Sequence, residues 1–193
     1  MTEILMERES LDEAAAEAFA GRVADMLSAG ATAAMMSLGH RLGLYDVMAA
    51  MAPATSAQIA ARAGLAERYV REWLAVMVTA RIVLFDPARR HYRLPAGHAA
   101  SLTRGAPLGN LAVYAQHVAL LGAMEPRVID CFETGGGTTY DDYPCFHAMM
   151  AEDSAMTVTT ALFDHVIPLA GGFTSGWRRG STSSTRAAGA ARR

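Results

Sequence analysis

Lysine is missing from this sequence: all seventeen basic side chains among its 193 residues are arginine. That skew points to GC-rich codons and carries no chemistry of its own. Cysteine is scarce as well. Cys131 and Cys145 are too few for a disulfide scaffold, so reduced thiols in a cytoplasm are expected. No apolar run is long enough to cross a bilayer without interruption by charge or glycine, which excludes a membrane span. The acidic start, MTEILMERESLDE, lacks the basic-then-apolar order of a secretory signal. Two catalytic motifs are absent too. The Gly135-Gly136-Gly137 run has no G-K-[ST] ending and no preceding strand, and there is no G-x-S-x-G, so neither a phosphate loop nor a nucleophile elbow is expected. Cys131, Cys145 and His147 are soft ligands, but no second close-spaced pair completes a set of four, so no metal site is expected.

What is present is apolar and mostly helical in pattern. At 52% hydrophobic, a chain of this length can bury a core. The net charge of −2 hides an asymmetry, because the stretch from Phe173 to Arg193 holds five arginines and no acid. The rest sets twelve arginines against nineteen carboxylates, a balance of −7, which argues against a protein built mainly to grip phosphates.

The organising stretch is Thr55 to Leu94. Thr55 or Ser56 caps a short helix with Ile59, Ala60 and Ala63 on its apolar side, and Gly64 closes it where a left-handed residue is needed. After the Leu65-Ala66 turn, a second helix from about Glu67 carries Val70, Leu74, Met77 and Val78 at helical spacing, with Trp73 expected in the core. Ile82 to Phe85 and His91 to Leu94 are β-prone runs around Asp86-Pro87-Ala88-Arg89-Arg90, a hairpin pattern. The expected fold class is therefore mainly α, a winged helix-turn-helix with a small β-hairpin wing at about 82–94.

Helices flank it on both sides. Residues 10–29 read as one amphipathic helix, with Ser10 and Glu13 as a capping box and Phe19, Val23, Met26 and Leu27 along one side. Residues 31–51 read as another, with Met35, Leu38, Leu42 and Met48 apolar. Gly39 and Gly43 there either admit a close neighbour or break the helix. His40 either faces a pocket or sits at a helix end. Two such helices cannot bury their apolar sides on so small a module, which predicts a homodimer. Pro95 to Leu108 is a connector. Asn110 to Val128 reads as a long helix with Leu111, Tyr114, Val118, Leu121 and Met124 on one face, kinked or ended near Pro126. Cys131 to Tyr140 reads as a loop. Asp141 to Thr160 returns to helix, and residues 161–169 continue it. The divisions expected are 1–108, 109–170 and a disordered Arg/Ser/Thr-rich tail at 171–193.

With these pieces in order, the chain resembles the N-terminal half of bacterial class I S-adenosylmethionine-dependent methyltransferases, above all actinobacterial members with a winged-helix front end. The residues that carry the resemblance are SLGHRLGLYD (37–46), TSAQIAARAGLAERYVREWL (55–74), YRLPAGHAASL (92–102) and CFETGGGTTYDDYPCFHAMMAEDS (131–154). It covers about residues 15–170. The resemblance implies that the first helices and the winged helix dimerise and that the later helices form a lid over a small-molecule methyl acceptor. It implies that Tyr140, Tyr143, Phe146, His147 and Met150 face the substrate or the methyl group. Aromatic and Met side chains suit an apolar pocket wall, and a histidine suits orienting or deprotonating a hydroxyl. An aromatic patch that packs two helices together is the competing reading of the same residues.

The chain departs from the family where a strand ending in D-x-G-x-G should open the cofactor domain. It continues instead as GGFTSGWRRGSTSSTRAAGAARR. Shifted by one nucleotide, GC-rich codons for this stretch from Trp177 permit L-A-A-G-I-D-V-L-D-A-G-C-G, a strand followed by the missing turn. The expectation is an out-of-frame tail on a truncated methyltransferase that binds no S-adenosylmethionine and is inactive alone. The alternative is a DNA-binding regulator touching a duplex through Arg68, Arg71, Arg89, Arg90 and Arg93. Glu67 and Glu72 share a helix with the first two of these, and they weigh against it.

Overall fold

The structure is a computed structural model, and it describes residues 11–106, 109–155 and 167. The chain divides into two units, Met1–Gly122 and Ala123–Arg193.

The first unit starts with a single long helix, α1 (Glu13–Arg41), where the sequence pattern suggested two. Gly30 lies inside it, since one glycine costs a helix only about 1 kcal/mol and is readily outvoted. Asp12 caps it, its Oδ1 accepting from the Ala15 N–H at 3.0 Å, in place of the expected Ser10–Glu13 box; Ser10 lies outside the described residues. The break comes at Gly43, whose φ of +68° turns the chain into α2 (Leu44–Ala49). Gly39 admits the close neighbour that its spacing suggested: a Cβ there would stand 2.5 Å from Cζ2 of Trp73.

The winged helix follows as its residues dictate. Thr55 and Gln58 form a capping box on α3 (Ser56–Ala63), and Gly64 ends that helix in the left-handed region. α4 (Glu67–Thr79) buries Val70, Trp73, Leu74 and Met77. It ends in a Schellman turn, with the Ile82 N–H on the Met77 carbonyl and the Arg81 N–H on that of Val78. That turn also takes up the Ile82 and Val83 amides, so the first strand begins two residues later than the β-prone run. β1 (Leu84–Asp86) pairs antiparallel with β2 (His91–Arg93), with Phe85 opposite Tyr92. Asp86 holds the turn by accepting from the Ala88 and Arg89 amides. Ala54 bridges Tyr92 from the other side. The core gathers Leu44, Tyr45, Ile59, Val70, Trp73, Leu74 and Met77. Tyr45 meets Trp73 edge-on at 5.4 Å and donates to the Met77 sulfur at 3.3 Å; burial pushes its phenol well above the usual range.

After the short helix α5 (Ala96–Ala99), Asn110 caps a 3-10 turn, Leu111–Ala115, that packs on α1. It leads into α6 (Gln116–Thr134), which runs through Pro126 without ending there. Of the apolar face formed by Leu111, Tyr114, Val118, Leu121 and Met124, Met124 alone is buried. Leu111, Tyr114, Val118 and Leu121 are open, whereas Ala112, Val113, Ala115 and Leu120 are buried. The 3-10 turn is part of the reason, since its three-residue period rotates the first residues away from the α-helical face assumed for them.

In the second unit, α6 extends to Thr134, so Cys131 to Thr134 are helical rather than loop. A 3-10 turn, Tyr140–Asp142, and helix α7 (Phe146–Ser154) follow. Tyr143 therefore precedes the helix instead of lying in it. The expected helical continuation through 156–160 and 161–169, and the expected disordered tail at 171–193, lie outside the described residues apart from Ile167. Among the described residues no helix is long and apolar enough to cross a membrane, and no cluster of His, Cys, Asp and Glu is placed to hold a metal ion.

Candidate functional site

The candidate site lies in the second unit, on the segment from Gly135 to Met150. The three glycines form a helix terminus and a turn. Gly135 (φ +79°) donates to the Cys131 carbonyl, closing α6, and Gly136 (φ +96°) continues in a conformation only glycine adopts freely. Arg127, one helix turn and more back, donates to the Gly137 carbonyl at 3.2 Å and holds the turn against α6.

A second device fixes the next residues. The Thr139 amide and hydroxyl both donate to Asp142 Oδ2, at 2.6 and 3.1 Å. The Thr139 amide, then its hydroxyl, and the Arg127 charge hold the Asp142 carboxyl below the usual carboxylate range. This turn presents Tyr140 and Tyr143 on either side of Asp141 and Asp142. The Tyr143 hydroxyl lies 3.0 Å from Thr138 Oγ1, which orients its ring.

Four of the five residues singled out by resemblance come together as rings. Phe146 lies 5.4 Å from Tyr140, 5.7 Å from Tyr143 and 5.9 Å from His147, and His147 lies 6.3 Å from Tyr140. These separations suit offset and edge-to-face contact. Tyr140, Tyr143 and Phe146 line a depression of about 450 Å³ with Thr138 and Thr139. His147 stands at its side, exposed, and Met150 is half-buried one turn further along α7 and does not line it. Tyr140 is 68% exposed. The arrangement can offer flat apolar contact, with one imidazole and two hydroxyls at the margin. Thr138 and Arg127 were not anticipated. Neither sits in a recognisable motif, and their roles depend on the turn between them.

The first unit accounts for the remaining candidates. His40 is a buried helix-end residue: Asn110 Nδ2 donates to its Nδ1 at 3.2 Å, an orientation set because Asn110 Oδ1 accepts from the Ala112 amide. Arg104 adds a bond to the His40 carbonyl and a 2.7 Å ion pair to Asp46. Together these tie the connector to the end of α1. The five arginines of the nucleic-acid reading divide between two elements: Arg68 and Arg71 on α4, Arg89, Arg90 and Arg93 in the wing. Arg71 is paired with Glu67 at 3.2 Å, and Glu67 also accepts from Ser56. Arg89 and Arg93 line one depression together with Asp86 and His91.

Residues 30–104 match the family model described as the Rv2258c-like winged HTH domain. They are the winged helix-turn-helix of this chain. Comparison with curated proteins gives no match. Among solved structures, the chain is similar in fold to N,N-8-amino-8-demethyl-D-riboflavin dimethyltransferase (RosA) from Streptomyces davawensis, with 20% identity and a TM-score of 0.57 over 75% of this chain and 45% of that one. It is similar to human N-acetylserotonin methyltransferase, solved in complex with SAM, with 15% identity and a TM-score of 0.53 over 81% and 42%. It is also similar to the mitomycin 7-O-methyltransferase MmcR, with 20% identity and a TM-score of 0.51 over 65% and 37%. The chain thus spans less than half the length of each.

Proposed function

We propose that this chain supplies the dimerising front part and the substrate-lid helices of a small-molecule methyltransferase that uses S-adenosylmethionine. The observation that carries this reading is the fold it shares, over 65–81% of its length, with three methyltransferases of different substrates. The ring cluster supports the lid role. Tyr140, Tyr143 and Phe146 form an apolar wall for a flat acceptor, and His147 beside them orients the acceptor's hydroxyl or takes its proton. The residues present do not fit the cofactor itself, because no D-x-G-x-G turn occurs in the 193 residues. The chain alone therefore transfers no methyl group, and the donor is held elsewhere. The working unit is a homodimer in a cytoplasm, since the open apolar side chains of α1 need a cover.

The test begins with the gene. Sequencing from the His165 codon through several hundred bases past the stop should reveal, in a neighbouring frame, an apolar strand ending in D-x-G-x-G. The chain joined to that domain should bind S-adenosylmethionine by titration calorimetry, while the present chain should give no heat. If no frame continues in this way, the reading is overturned.

A further inference from the structure

The β-hairpin puts four unlike side chains on one side. Leu84 stands opposite Arg93 and Asp86 opposite His91, and alternation along each strand turns all four the same way. With Arg89 from the turn, they line a depression of about 390 Å³. Its charge is unbalanced. The lining holds two guanidinium groups and one carboxylate, and Oδ1 of that carboxylate already accepts from the Ala88 and Arg89 amides. The ion pairs between described residues, Arg71–Glu67 and Arg104–Asp46, use neither Arg89 nor Arg93. A second depression, of about 470 Å³, adjoins the first, since Pro53 and Arg93 line both. Apart from Arg93, this one is mostly apolar. Met48 and Leu94, both buried, line it with Met51, Ala96 and Ala99. Its one hydroxyl, on Thr103, already donates to the Ala99 carbonyl at 2.9 Å, so no neutral side-chain donor is left for a polar ligand.

We infer that the two depressions form one site for a small amphiphilic carboxylate, its head on Arg89 and Arg93 and its aliphatic chain along Met48, Met51 and Leu94. The guanidinium fork matches a carboxylate through two parallel hydrogen bonds. Guanidinium groups outnumber carboxylates here by one, which suits a monoanion and is too little for a run of phosphates. Each methylene that leaves water for the second depression adds to affinity, and flexible methionine side chains adapt to an aliphatic chain. No residue of this site lines the ring depression of the second unit, so the inference does not rest on the acceptor site proposed above.

Titration calorimetry of the full chain with octanoate, below its micelle-forming concentration, tests this without reference to methyl transfer. One molecule per chain should bind with a submillimolar dissociation constant. Octanol, which keeps the aliphatic chain and lacks the charge, should bind at least tenfold more weakly. Acetate, which keeps only the charge, should give no measurable heat. Arg93→Gln and Ala96→Glu, both at exposed positions, should each weaken octanoate binding at least tenfold with the helical circular dichroism unchanged. Octanol as tight as octanoate, several molecules per chain, or an Arg93→Gln variant that binds like the wild type would overturn the site. A labelled duplex that displaces octanoate would overturn it too, by making the arginines phosphate contacts. So would co-sedimentation with phosphatidylglycerol vesicles, which would make the ligand a membrane surface.

Discussion

Gly39 and Trp73 show how one missing atom sets a helix spacing. The Trp73 indole donates to the Met35 carbonyl at 2.9 Å and packs against the glycine, where a methyl group would come within 2.9 Å of two of its ring atoms. Gly39→Ala should therefore cost about 1–3 kcal/mol by overpacking, despite alanine's better helix propensity, read as a lower midpoint in urea. Arg81 offers the converse. It occupies the left-handed position of the turn that ends α4 (φ +58°), the place Gly64 takes after α3. Arg81→Gly should raise stability by about 1 kcal/mol in the same measurement, because the strain of a Cβ in that region disappears. At this scale the sequence was partly legible. The pairing of Gly39 with a close neighbour could be expected from spacing, and Trp73 from its place among apolar residues. The partner of His40 could not, because Asn110 is seventy positions away and nothing local announces a contact that the fold creates.

Elements were legible where their ends are written in short-range chemistry. Thr55 with Gln58, and Gly64 after α3, decide that helix within ten residues, and both did what their types predict. Where an element depends on what lies across from it, pattern alone does not choose the buried side. The Leu111–Leu121 face is apolar, yet the side that packs on α1 is the alanine-rich one, so the large residues point outward. The glycines after Cys131 to Thr134 suggest a loop, but a helix runs up to its C-terminal glycine and stops there. The Thr139–Asp142 turn that follows is pH-sensitive. The Asp142 carboxyl titrates below its unfolded value, so its contribution is present above about pH 4, the ordinary carboxylate value, and is lost as pH falls through the lower folded one. Following the Thr139 amide by NMR should show a step below pH 4 that Asp142→Asn removes, with the ring contacts of Tyr140 loosening in the same window. An amide that does not respond to acid would mean the turn stands without the carboxylate.

For the molecule as a whole, charge bears on the two uses of a winged helix. A protein that reads DNA through α4 and the wing needs a run of unopposed cations there, because phosphate neutralisation supplies most of the binding and makes it fall steeply with salt. This surface alternates instead. Glu67 and Glu72 stand among Arg68 and Arg71 on α4, Asp86 stands beside Arg89 and Arg93, and one of these cations is already paired. Before Phe173 the chain carries seven more carboxylates than arginines, and a groove beside α4 is apolar rather than basic. Apolar slots of this kind suit helices, while the depression at Tyr140 to Phe146 suits a flat small molecule. The expected result is therefore no change in the fluorescence anisotropy of a labelled duplex with micromolar protein at about 50 mM salt, where non-specific binders already hold DNA. If the duplex were bound, and Arg68→Ala or Arg93→Ala flattened the salt dependence, the arginines would be phosphate contacts and the winged helix a reader of DNA. Absence of binding at low salt would count against the DNA-reading use and leave these arginines as a solvated surface interspersed with carboxylates.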